Sequence, residues 1–156
     1  SPRPLYDFEM QDQNGEPVNL ESLKGSWNLL FFAFTSCPDI CPTTLSLISK
    51  AYSELEMPVR IIMVTVDPDR DSLEILKNYL GSFNEDFIGY RGEFDETVKL
   101  AQQLNVAFGK IPGSQPGTYT MDHNASLALV DSGGNYVGFI KSPQSSSNIK
   151  TILDSF

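Results

Sequence analysis

The sequence predicts an α/β fold with a central, largely parallel sheet, and three observations carry that prediction. Trp27 to Phe34 is a nearly continuous apolar run, rich in aromatics and of strand length, as expected for a strand buried on both faces. Val59 to Val66 is a second such run, rich in β-branched residues. Between and after them lie stretches whose apolar residues recur at helical spacing, the crossover connections that parallel strands need.

Taken in order, Phe8 to Asp12 and Pro17 to Leu20 flank Asn14-Gly15, a pair that tolerates the left-handed angles of a tight turn, so a small amino-terminal hairpin is predicted. The Ser-Pro-Arg-Pro start reads as the frayed end of a longer precursor. After the first buried strand, Thr43 to Leu55 carries Leu45, Ile48, Ala51, Tyr52 and Leu55 in helical phase, and Pro58 ends the helix. The Val59 strand is closed by Asp67-Pro68-Asp69-Arg70-Asp71, whose proline and aspartates suit a strand stop and a helix start. Ser72 to Phe83 reads as helix, Phe87 to Tyr90 as a short strand, and Thr97 to Leu104 as a third helix with Val98, Ala101 and Leu104 in phase. Gly109 to Thr118 is rich in glycine and proline and is predicted to be a surface loop. Ser126 to Val130 and Tyr136 to Ile140, joined by Asp131-Ser132-Gly133-Gly134-Asn135, form a second hairpin, and Ile149 to Phe156 a closing helix. That order describes a thioredoxin-like fold: a mixed sheet flanked by helices, with an N-terminal β-hairpin.

At 156 residues the chain is long enough for one domain with a full core and too short for two ordinary ones, so residues 1–156 are read as a single domain. A formal net charge of -9 argues against non-specific binding to nucleic acid or anionic lipid, which needs a basic surface. A cationic protein partner suits it better. No segment approaches the roughly 18 apolar residues of a membrane span, so any anchor is expected upstream of residue 1.

The chain has two cysteines, in Cys37-Pro38-Asp39-Ile40-Cys41, and one histidine, His123. Two cysteines are too few for a disulfide framework, so metal binding or thiol chemistry is the better reading. The motif falls at the carboxyl end of the first buried strand and the start of the next helix. There, unpaired N–H groups and about half a positive charge favour a thiolate, and Cys37 is expected to be the more activated and exposed sulfur. Pro38 and Pro42 cost no hydrogen bond in a first helical turn. His123 precedes the Ser126 strand, which in such a sheet lies close to the Trp27 strand, so its loop passes near the cysteines. Two thiolates and one imidazole suit Cu(I), Cu(II) would want a further donor, and zinc is less apt with three protein ligands. Against this stand blander readings: two cysteines packed as small hydrophobes, and a histidine that is only a surface residue. Asp67, Asp69 and Asp71 lack the glycine and distal glutamate of a calcium loop and are read as helix-start residues.

Three blocks in order, Phe34-Thr35-Ser36-Cys37-Pro38-Asp39-Ile40-Cys41-Pro42-Thr43-Thr44-Leu45, then Val66-Asp67-Pro68-Asp69-Arg70-Asp71, then Asp122-His123, resemble the SCO/SenC family of copper-binding proteins. The resemblance implies a domain tethered to a membrane by an amino-terminal segment. It also implies an extracytoplasmic setting: the periplasmic face of a bacterial inner membrane or, alternatively, the mitochondrial intermembrane space. It further implies a copper-binding metallochaperone, expected to be a monomer. This would hold Cu(I) or Cu(II) through Cys37, Cys41 and His123, take it from a copper donor protein and assemble the binuclear copper centre in the copper-bearing subunit of cytochrome c oxidase. Asp39 and Asp122 lie close enough to orient a ligand or form an acidic docking face. The alternative is a thiol-disulfide oxidoreductase reducing the acceptor's cysteines, in which Cys37 attacks and Cys41 resolves. The three-residue spacer argues against that second reading, because thioredoxin-type enzymes use two. A peroxidase is weaker again, with no arginine beside the motif.

Overall fold

The structure is a computed structural model that describes residues 2–37, 40–106, 108–112, 119–123, 127–141 and 145–155, with the side chains of Ile40, 109–112 and 119–123 outside that description. Among the described residues, ten strands and four α-helices follow one another as β1 (Arg3–Pro4), β2 (Met10–Asp12), β3 (Pro17–Val18), β4 (Trp27–Ala33), α1 (Ile40–Tyr52), β5 (Val59–Thr65), α2 (Leu73–Gly81), β6 (Ile88–Arg91), α3 (Phe94–Gln103), β7 (Phe108–Pro112), β8 (Tyr119–His123), β9 (Leu127–Val130), β10 (Asn135–Ile140) and α4 (Ser146–Asp154), with a short 3-10 turn at Leu20–Leu23 before β4. Eight strands form one sheet in the order β1-β10-β9-β4-β5-β6-β2-β3. Strands β4, β5 and β6 run parallel, while β9 and the β2–β3 hairpin flank them antiparallel. The parallel centre and antiparallel flanks are the thioredoxin-like arrangement predicted from the element order.

Burial explains why β4 is central. Leu29 to Ala33 are completely buried, so side chains on both faces of the strand are covered. Its neighbour β5 pairs residue for residue from Trp27 opposite Val59 to Ala33 opposite Thr65, which brings both strands to their carboxyl ends together. Helix α2 lies close on β6: a Cβ added at Gly89 would sit 2.9 Å from Leu80 Cδ1. Helices α1 and α4 pack against each other.

The predicted hairpin at Asn14-Gly15 is present, with Gly15 at φ +81° and the Asp12 carboxylate accepting from the Asn14 and Glu16 amides at 2.8 and 3.1 Å. Three expectations are corrected. The surface loop predicted over Gly109 to Thr118 is not wholly a loop, because residues to Pro112 belong to β7, which pairs with β8 in a separate two-stranded sheet. An isolated ribbon need not show the alternation that marks a half-buried strand, and its glycine and proline read as a loop. Residues 113–118 lie outside the described residues. The amino-terminal start is not frayed from Arg3 onward, since Arg3 and Pro4 pair with β10 and the Arg3 guanidinium lies 5.1 Å from the Tyr136 ring centroid. Helix α1 begins at Ile40 rather than Thr43, so Cys41 and Pro42 stand inside its first turn, where proline is tolerated.

Candidate metal and thiol site

Strand β4 releases the chain at Phe34, and a turn leads into α1. The Cys37 amide donates to the Phe34 carbonyl at 3.2 Å, which fixes the first cysteine within one turn of the strand end. Cys41 is the second residue of α1. Neither cysteine is in a disulfide, and their thiols are close enough to share a hydrogen bond. Both are buried, Cys37 at 6% exposure and Cys41 at 0%, so Cys37 is the more exposed sulfur only by a narrow margin. Burial pushes the Cys41 thiol well above the ordinary thiol range, and the hydrogen bond with Cys37 adds to the rise. A backbone hydrogen bond at Phe34 opposes it and does not prevail. For Cys41, burial therefore outweighs the thiolate-favouring environment of a helix start.

The turn that carries Cys37 is held from below by Asp71. Its carboxylate accepts from the Thr35 amide at 3.1 Å, the Thr35 hydroxyl at 2.5 Å and the Thr65 hydroxyl at 2.7 Å, and the residue is completely buried. One carboxylate thus ties the chain leaving β4 to the end of β5. Asp67 is also buried, accepts from the Arg70 guanidinium and takes the Asp71 amide on its carbonyl at 2.9 Å. The helix-start reading of the three aspartates is therefore corrected: Ser72 caps α2 through the Ile75 amide, Asp71 is a latch, and only Asp69 is exposed. Sequence alone had little to say about the latch. Its threonine partners, residues 35 and 65, become neighbours only through the register in which Ala33 opposes Thr65.

Tyr79 of α2 was also missed. Its hydroxyl is buried and finds no hydrogen-bond partner among the described residues. Burial pushes its pKa upward, and the nearby Cys41, Cys37 and Asp71 add to the shift in that order. A tyrosine at helical spacing carries no signal that distinguishes such a place from ordinary packing.

His123 is the last residue of β8, opposite Phe108 of β7. Four residues later, Leu127 opens β9 opposite Phe31, two residues before the end of β4. The expected adjacency of the β9 and β4 strands is thus observed, and the chain from His123 enters the sheet on the edge where β4 lets go of the cysteine turn. The side chains of His123 and Asp122 lie outside the described residues, as does Asp39. Among the described residues, no three histidine, cysteine, aspartate or glutamate side chains gather into a metal cluster. No helix among them is long and apolar enough to cross a membrane.

A pair of unbridged thiols at the carboxyl end of a central parallel strand, on a mixed sheet with helices, defines a thioredoxin-like thiol protein. The chain matches the SCO1/SenC family over residues 3–156 and belongs to it. A relative named as a putative copper-binding protein of Stutzerimonas stutzeri is 36% identical over 97% of this chain, which spans 76% of that relative's length. The copper-bound structure of Bradyrhizobium japonicum ScoI superposes with a TM-score of 0.86 at 35% identity, covering 98% of this chain and 99% of that one. The structure of BsSco, described as carrying a disulfide switch in the Sco family of cytochrome c oxidase assembly proteins, matches at TM-score 0.76 and 26% identity over 99% and 93% of the two chains.

Proposed function

We propose that this protein is a copper metallochaperone that holds one ion through Cys37, Cys41 and His123 and passes it to the copper-bearing subunit of cytochrome c oxidase. The observation that carries the reading is the unbridged pair of thiols, placed beside the strand edge to which the His123 segment returns. Two sulfurs and one imidazole make a soft donor set of low coordination number, suited to Cu(I) and open to a further donor for Cu(II). Copper relatives within the family support the same cargo.

The cysteines' environment shapes uptake. The buried Cys41 thiol keeps its proton in the empty protein, so copper must displace it and loading releases protons. Release follows by stepwise ligand exchange with an acceptor's own cysteines. The expected setting is extracytoplasmic, which the mitochondrial names of some family members support, with an anchor upstream and the domain monomeric as further parts of the proposal.

A second reading has its own observation. The two thiols are near enough to share a hydrogen bond, and the BsSco relative is described as having a disulfide switch. In that reading the Cys37 thiolate attacks an acceptor disulfide and expels one acceptor thiolate. Cys41 then attacks Cys37, leaving a Cys37–Cys41 disulfide and a reduced acceptor pair.

His123→Ala separates the two. If the histidine is a ligand, copper affinity falls on the order of a hundredfold while circular dichroism and thiol exchange rates are preserved. Copper affinity unchanged in the variant would sink the three-ligand claim.

A further inference from the structure

The carboxyl ends of β4, β5 and β6 share one edge of the sheet, which is where α/β folds place their binding crevices. The cysteine turn occupies the β4 end. Beyond β5 and β6 lies a cleft of about 690 Å³, lined in part by Pro68, Asp69, Glu93, Phe94, Val98 and Phe108. The copper site as proposed does not use it.

Its walls have two characters. Phe94 opens α3 with 43% of its surface exposed, and its ring meets that of the half-buried Phe108 edge to face at 5.7 Å. Exposed aromatics of this kind are enriched at the centres of protein interfaces. On the polar side, Asp69 and Glu93 are exposed carboxylates. Among the described residues one cation lines the cleft, Arg91, whose Nε and Nη2 donate to the Pro68 and Asp71 carbonyls at 2.8 to 3.1 Å, and Asp67 is already paired with Arg70. Among the described lining residues the carboxylates Asp67, Asp69 and Glu93 outnumber the single cation Arg91, so an anionic ligand would meet net negative charge. A segment offering an apolar side chain between two cations would meet an aromatic wall and an acidic rim, on a chain whose net charge is -9.

We infer that this cleft is the docking groove for a partner polypeptide, engaged through an apolar residue flanked by lysine or arginine. Phe108 is also the cross-strand partner of His123, so a polypeptide seated in the groove lies against the hairpin that carries the proposed third ligand. The partner's purpose rests on the copper-transfer reading; the binding event does not.

The test titrates the copper-free, ¹⁵N-labelled chain with the capped peptide Gly-Lys-Phe-Lys-Gly and with its Gly-Glu-Phe-Glu-Gly counterpart. Expected are saturable shifts centred on Gly92, Phe94, Val98 and Phe108, with the lysine peptide bound about tenfold more tightly and its affinity falling as salt rises. Phe94→Ala should weaken the lysine peptide about fivefold to tenfold and leave copper affinity unchanged. The exposed double variant Asp69→Asn/Glu93→Gln should erase most of the preference between peptides, which keeps the test valid if Phe94→Ala misfolds. Cys37→Ser/Cys41→Ser should lose copper and keep the peptide, so failure of the copper reading and failure of the groove register separately. No saturable shift, equal affinity for both peptides, or sedimentation showing a dimer that buries the same residues would overturn the inference, the last by giving the groove to a second copy.

Discussion

Cys37 and Cys41 follow a strand with six consecutive residues fully buried, Asn28 to Ala33, and an aspartate latch fixes the turn between strand and helix. His123 ends a strand whose sheet has two members, β7 and β8, set apart from the eight-stranded one. The proposed ligands thus stand on two kinds of support. Two-stranded ribbons are marginal by themselves, whereas a central strand opens only when the whole domain does. For a carrier that must both retain and surrender an ion, the division has a physical logic. If His123 is the third ligand, the sulfurs would keep their places while the imidazole left or joined at small cost.

The largest effect expected from this contrast is in backbone amide exchange. Amides of β4 and β5 should exchange only by global opening, while those joining β7 to β8 should exchange on the order of a thousandfold faster through local opening. Native-state hydrogen exchange on the copper-free chain measures the ratio. Equal protection in the two sheets would remove the contrast. If His123 is a ligand, copper should slow exchange in the hairpin more than in β4, because the ion would tie the less stable support to the more stable one.

Paired substitutions sharpen the same comparison. Asp71→Ala leaves the Thr35 amide and two threonine hydroxyls without their acceptor in a buried place, and should cost about 3 kcal/mol in urea unfolding. Phe108→Ala, at a half-buried ring on the hairpin, should cost nearer 1 kcal/mol. If the two losses are alike, the latch is not what holds the cysteine turn.

How far the sequence revealed these supports follows the same division. The central strands were legible because burial on both faces leaves long apolar runs, and the sites of Cys37 and Cys41 followed from the strand end and helix start. The element carrying His123 was not, because a ribbon outside the main sheet need leave no alternating pattern and Pro112 resembles a loop residue. Asp71 escaped for another reason. Its partners are distant in sequence at Thr35, and its neighbours Asp67 and Asp69 made it look like one of several helix-start acids. Only pairing register distinguishes a latch from a cap.

The last test probes the main-sheet support through pH. Tyr90 of β6 is 3% exposed, and burial pushes its hydroxyl up to about 12, with Arg60 opposing and Asp12 adding. A raised folded pKa means that the native state holds its proton where the unfolded chain has lost it. The associated stability is complete below the ordinary tyrosine value near 10 and is lost as pH climbs from about 10 to about 12, a change on the order of 2 kcal/mol. The Cys41 thiol, also raised by burial, contributes in the same direction but from the lower pH at which unfolded thiols ionise. Tyr90→Phe should therefore make the alkaline decline in urea midpoints shallower between about pH 10 and 12, where the raised Tyr79 and Cys41 still contribute, and leave the part between pH 8 and 10 in place. A variant that declines as steeply as the parent above pH 10 would show that the sheet admits the phenolate, and that this part of the support yields as readily as the ribbon beside it.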